Sequence, residues 1–139
     1  MKRTLRLIVT LVLILAMVGS STAYAAVESN AYISSFGAAA YSNGDGTITI
    51  DFTVSGTGKM EDIGASQIYI YTSGGQLVRG IYYTSPKYSN MMTHNTSFHY
   101  SYVTIALTPG TSYYAVVTLY AGKDGGYGTQ NYVTNTVTA

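Results

Sequence analysis

Leu107-Thr108-Pro109-Gly110-Thr111-Ser112-Tyr113 is the stretch on which the reading of this chain turns. Its proline presets φ for the second position of a turn, and its glycine admits the positive φ that the third can require. Directly after it, Tyr113, Ala115, Val117, Leu119 and Ala121 alternate with Tyr114, Val116, Thr118 and Tyr120. A period of two is the mark of a half-buried strand. With Tyr113 turned inward, the phase places Ala115, Val117 and Leu119 inward too, and Tyr114 and Tyr120 toward water.

Working outward, the same alternation recurs. In Thr47–Ser55, Ile48, Ile50, Phe52 and Val54 take one face against Thr47, Thr49, Asp51 and Thr53, and Asn43-Gly44-Asp45-Gly46 before them is turn chemistry. Ile68-Tyr69-Ile70-Tyr71 alternates up to a Ser73-Gly74-Gly75 turn, and Gln76–Tyr83 reads as its hairpin partner. Phe98–Leu107 sets Val103, Ile105 and Leu107 against Tyr100 and Tyr102, and Gln130–Thr138 reads as a closing strand after a Gly122–Gly126 hairpin loop. Tyr32–Phe36 reads as an edge strand that continues past a bulge at Gly37. Between these, Gly56-Thr57-Gly58 is read as a strand end, Lys59–Ala65 as one helical turn closed by Met60 and Ile63, and Tyr88–Thr96 as a polar loop with Met91 and Met92 tucked inward. Pro86 forbids simple continuation of the preceding strand. About seven short strands at this spacing predict an all-β sandwich.

The start of the chain reads differently. Lys2, Arg3 and Arg6 precede a continuous apolar run from Leu7 to Val18, and Ala23-Tyr24-Ala25 supplies a small-residue cleavage site. That order predicts a signal peptide over residues 1–25, cleaved after Ala25, a domain over residues 26–139 and a secreted, extracellular product. The run is shorter than the roughly 20 residues a membrane span needs, so no membrane association is expected after cleavage. Residues 26–139 keep four basic side chains against six acidic ones, a net charge of −2. This lacks the basic patch that nucleic acid or an anionic lipid surface requires, so neither is expected as a partner. The chain has no cysteine, which excludes disulfides and thiol-linked lipid anchors.

With its strands in place, Leu107-x-Pro109-Gly110-Thr111-x-Tyr113-x-x-x-Val117 resembles the corner between the fifth and sixth strands of fibronectin type III domains, which are immunoglobulin-like β-sandwiches. The resemblance implies that Tyr113 is a corner tyrosine whose hydroxyl bonds back to upstream backbone. The chain departs from such domains in having no tryptophan, and Phe52 is the residue expected to fill that space. A second resemblance rests on Gly58-Lys59-Met60-x-x-Ile63-Gly64-Ala65-x-x-Ile68-x-Ile70-Tyr71, Tyr88-Ser89-Asn90-Met91-Met92 and Tyr113-Tyr114-Ala115-Val116-Val117. These are similar to a set of small secreted proteins of Clostridia-type Firmicutes. The likeness implies a bacterial setting and transfers no functional residue.

Chemistry-bearing motifs fail on inspection. Asn43–Ile48 lacks the carboxylates a calcium loop needs at its first and last positions, which fall on Tyr41 and Phe52. Gly56-Thr57-Gly58-Lys59 has Thr53 where a phosphate loop needs its first glycine, and Met60 where it needs a hydroxyl. His94 and His99 have no cysteine or carboxylate near them in sequence, and there is no Gly-x-Ser-x-Gly. No catalytic set, metal site or cofactor is expected. Asn95-Thr96-Ser97 is a glycan-acceptor pattern that matters only in a eukaryotic secretory route. Tyrosine is the informative residue, since fourteen of fifteen lie beyond the signal segment. Tyr69, Tyr71, Tyr82, Tyr114 and Tyr120 are expected to form an outward aromatic face. Such a face either binds a glycan or an extracellular protein or pairs across strands to stabilise an exposed sheet. The sequence therefore predicts a non-catalytic binding or adhesion module that presents this face, or the loops near Met60 and Met91, with a structural subunit of an extracellular assembly as the alternative.

Overall fold

The computed structural model describes residues 30–139, so the expected signal segment lies outside the described residues. Seven antiparallel strands form one hydrogen-bonded sheet. They are β1 (Ile33–Ser42), β2 (Thr47–Thr72), β3 (Leu77–Tyr82), β4 (Met92–Ala106), β5 (Ser112–Lys123), β6 (Gly126–Val133) and β7 (Val137–Thr138). A short 3₁₀ helix, Pro86–Met91, links β3 to β4. The all-β, antiparallel expectation holds. Among the described residues no helix is long and apolar enough to cross a membrane.

The 26 residues of β2 run through the whole molecule. Their first part, 47–56, lies between β1 and β4. At 62–64 the neighbours are β4 and β5, and from 67 to 71 they are β3 and β5. One half of the sheet is therefore ordered β1-β2-β4 and the other β3-β2-β5-β6, with β7 paired to the start of β5. A single apolar core collects Ile48, Ile50, Phe52 and Val54 from the first half and Ile68, Ile70, Ala115, Val117 and Leu119 from the second. Tyr113 and Ala121 are buried in phase with their strand, as the alternation predicts.

Two expectations about β2 are corrected. Gly56–Gly58 does not end the strand, and Lys59–Ala65 forms no helical turn; both are extended. Register shifts between Ser55 and Met60 and between Ala65 and Gln67 explain the misreading. A bulge inserts extra residues into one strand and reverses which side chains face in. Even positions point inward through Val54, odd ones at Ile63 and Ala65, and even ones again at Ile68 and Ile70. Met60 fills the crease, where a Cβ on Gly56 would stand 2.8 Å from its Cγ. A helix here would forfeit the ladder bonds that β4 and β5 make to both edges of 62–64.

Other boundaries move for similar reasons. The bulge in β1 lies between Ile33 and Ser35 and not at Gly37. Met91 and Met92 are buried as expected, but the expected Tyr88–Thr96 loop is partly 3₁₀ helix and partly β4. The expected closing strand divides into β6 and β7 because Thr134 turns its side chain inward. Its Oγ1 accepts from Ala115 N at 2.9 Å and donates to the Asn135 carbonyl at 2.9 Å.

The corner is built as its residues suggest. Gly110 has φ +81°, and Thr108 N–H donates to the Tyr113 hydroxyl at 3.2 Å. Removing that acceptor with Tyr113→Phe is expected to cost about 1 kcal/mol, read as a lower urea midpoint at unchanged slope. At the β1–β2 hairpin, Asp45 accepts from both the hydroxyl and the N–H of Thr47, at 2.5 and 3.0 Å. The Thr47 hydroxyl bond, then the Thr47 N–H, holds the Asp45 carboxyl below its ordinary range. This depressed carboxyl supports the turn above its unfolded-state pKa, and that support fades as pH falls through the folded one. In Thr47→Val the Asp45 carboxyl should titrate closer to its ordinary value, as followed by carboxyl-carbon NMR.

Two side-chain amides stand where a neighbouring strand would on the outer edges. Asn135 pairs with both the N–H and the carbonyl of Ala40, each at 2.9 Å, along β1. On β4, Asn90 Nδ2 donates to Ser101 Oγ at 2.9 Å and to the Tyr102 carbonyl at 3.0 Å. Occupied edge groups are unavailable to another chain's strand.

Candidate functional site

The half of the sheet ordered β3-β2-β5-β6 carries all five tyrosines singled out from the sequence, but it divides them into separate groups. Tyr71 and Tyr114 are direct cross-strand partners, with rings stacked at 5.4 Å and 14°. Tyr69 meets Tyr82 edge to face at 6.0 Å, and their hydroxyls are 3.1 Å apart. That bond from Tyr69, with a smaller contribution from burial, pushes the Tyr82 hydroxyl's pKa up. Tyr120 belongs to neither pair; it stacks on Tyr127 at 5.4 Å and 19°. Each of these contacts covers part of a ring, and pairing of this kind stabilises an exposed sheet face. Tyr82 is the most open of the five, at 45% exposure, while Tyr69, Tyr71, Tyr114 and Tyr120 are half-buried.

Beside Tyr120 the same face opens into a cavity of about 250 Å³, lined by Asp62, Ser66, Tyr83, Met92, His94 and Tyr120. Each lining residue arrives by a definable route. Asp62 lies opposite His94 in the β2–β4 register and opposite Gly122 in the β2–β5 register. His94 Nδ1 and Asp62 Oδ1 are 2.5 Å apart. Their side chains are 67% and 48% exposed, so both keep polar atoms free for a ligand. Gly122 makes room for Tyr120, since a Cβ there would lie 2.7 Å from the Tyr120 hydroxyl. Ser66 sits in the second β2 bulge, where its Oγ donates to the Thr118 carbonyl at 3.3 Å and its own carbonyl accepts from Tyr83 N at 3.4 Å. Burial, then the carboxylate of Asp62, pushes the Tyr120 hydroxyl's pKa up, so the phenol stays protonated as a donor.

Of the five tyrosines expected to form a site, only Tyr120 lines this cavity; Asp62, Ser66 and Tyr83 carried no functional expectation, Met92 was expected to be buried, and His94 was weighed only as a metal ligand. His94, which has no carboxylate near it in sequence, has one in space. An unbroken register counted from Ile48 opposite Ile105 would set Asp62 opposite Met91; the first bulge moves the partner to His94. The second histidine is occupied elsewhere, with His99 Nε2 2.8 Å from the Asn90 carbonyl and its ring against Phe52. Among the described residues no group of three or more His, Asp or Glu side chains could hold a metal ion.

Compared with protein-family models and with curated proteins, the chain finds no match.

Proposed function

We propose that this chain is a secreted bacterial binding or adhesion module of fibronectin type III-like architecture, acting without chemistry on a glycan or an extracellular protein. The observation that carries the reading is a cavity with aromatic walls and an exposed Asp62–His94 pair, set into a tyrosine-rich sheet face. Apolar rings with a few placed polar groups are the usual make-up of a recognition site. The architectural part draws support from the halves β1-β2-β4 and β3-β2-β5-β6, which follow the strand order of a fibronectin-type sandwich, and from the corner bond at Tyr113. Against a nucleophilic role, the Ser66 hydroxyl proton is directed to a backbone carbonyl.

The test is a glycan array and a pull-down from the extracellular milieu with the intact mature chain. Replacing Tyr69, Tyr71, Tyr114 and Tyr120 together with serine, in protein whose circular dichroism shows retained strand content, should abolish the signals. Unchanged profiles would overturn the reading. Export is checked separately: the mass of the product from the culture medium should correspond to a chain beginning at Ala26.

One observation favours the second reading, a subunit of an extracellular assembly. On the other half of the sheet Phe98, Tyr100 and Tyr102 lie in a row along β4, 52%, 51% and 55% exposed. Self-association through that row should appear as concentration-dependent sedimentation that Tyr100→Ser with Tyr102→Ser suppresses; a strictly monomeric profile counts against it.

A further inference from the structure

The cavity beside Tyr120 differs from the tyrosine pairs around it. Tyr71 with Tyr114 and Tyr69 with Tyr82 satisfy one another across strands. The cavity joins aromatic walls to polar groups with spare hydrogen-bonding capacity. An ionised carboxylate has about four acceptor positions, and His94 takes one of those on Asp62. Ser66 donates its proton to Thr118 and so presents lone pairs. The Tyr120 phenol supplies a donor, and the second ring nitrogen of His94 remains available for a further hydrogen bond. Tyr120 is held in place by Tyr127 stacked against it, so a ligand meets a ring already oriented.

Size and charge narrow the ligand class. A volume of about 250 Å³ falls below the roughly 300–1,000 Å³ of a drug-sized pocket. It has room for one six-membered ring and not for a folded chain segment. Asp62, with Glu61 beside it on β2, disfavours an anion. The His94 imidazole already occupies one oxygen of the Asp62 carboxylate, so that oxygen is not open to a cation. Alternating hydroxyls and an apolar C–H face match what is left.

Resting on the reading of this face as a recognition surface, we propose that the cavity is a subsite for a single neutral hexopyranose unit, such as the terminal sugar of a glycan. Asp62 accepts from two adjacent ring hydroxyls, and His94 and Ser66 complete the set. Tyr120 and Tyr83 pack on the C–H face, with Met92 at the edge.

The experiment is an amide-NMR titration of the mature chain, residues 26–139, with free glucose, galactose, mannose and N-acetylglucosamine. Choline and inorganic phosphate serve as charged probes. At least one neutral sugar should saturate with Kd of about 1 mM, shifting residues 62–66, 83, 92–94 and 120. Asp62→Asn and Tyr120→Ser should each weaken that sugar about tenfold or more, and Tyr41→Ser, at an exposed tyrosine of β1, should not. The proposal is overturned if no sugar saturates, if choline or phosphate binds there instead, or if both cavity variants bind as the parent does. Array binding that survives Asp62→Asn but is lost in the four-tyrosine variant would remove this subsite and keep the face. Loss of every array and pull-down signal in the parent chain would remove both.

Discussion

Gly64→Ala is expected to destabilise the protein by roughly 2–4 kcal/mol. For a domain of this size that lowers Tm by about 10–20 °C. Gly64 lies opposite Met92 on one edge and Tyr120 on the other, where β2 has both β4 and β5 hydrogen-bonded to it. A Cβ would meet the Met91 carbonyl oxygen and stand 2.8 Å from Met92 Cα. These are backbone atoms, held by the 3₁₀ helix on one side and by the ladder on the other, so they cannot rotate away as a side-chain tip would. Relief requires β4 to move off β2 beside the cavity, so Asp62 and His94 should separate together with the loss of stability. Thermal unfolding measures the first effect. Loss of the coupling between the Asp62 and His94 resonances measures the second.

Phe52→Ala is expected to cost about 3–5 kcal/mol, a large part of the 5–15 kcal/mol that holds a typical domain folded. Phe52 is 1% exposed and among the largest fully buried side chains. The chain has no tryptophan to share its volume, and among the described residues only one edge-to-face neighbour, His99 at 5.9 Å, shares its aromatic contact. The core to which Phe52 belongs is rich in isoleucine and valine, β-branched side chains with few alternative rotamers, which limits collapse. Phe52→Leu, which keeps most of the volume, should recover more than half of the loss. Equal urea midpoints for the two variants would contradict this account.

What the sequence discloses follows from how far a physical signal extends along the chain. Alternation is local, so the inward sets at Ile48–Val54, Val103–Ile105 and Tyr113–Ala121 could be read directly, and so could the turn at Pro109-Gly110. The passage from Gly56 to Ala65 could not. Two bulges reverse the phase there, and glycine, which commonly ends a strand, here makes room for Met60. Whether the tyrosines would face outward was legible; how they would pair was not. Stacking of Tyr71 on Tyr114 depends on β2–β5 register, and the meeting of Asp62 with His94 depends on a shift made by residues between Ser55 and Met60. The cavity is a product of register, and register through a bulge has no periodic trace in sequence.

The unbroken course of β2 bears on how the molecule would meet a ligand. With no loop between its two halves, the strand offers no joint about which they could close. Asp62 and Ser66 are carried on that strand, and Tyr120 on its hydrogen-bonded neighbour β5. Recognition at the proposed subsite would then be of a preorganised kind, in which little conformational entropy is lost on association. Its spectroscopic signature would be closely matching free and bound chemical shifts away from the contact residues, with affinity set by the fit of a fixed shape.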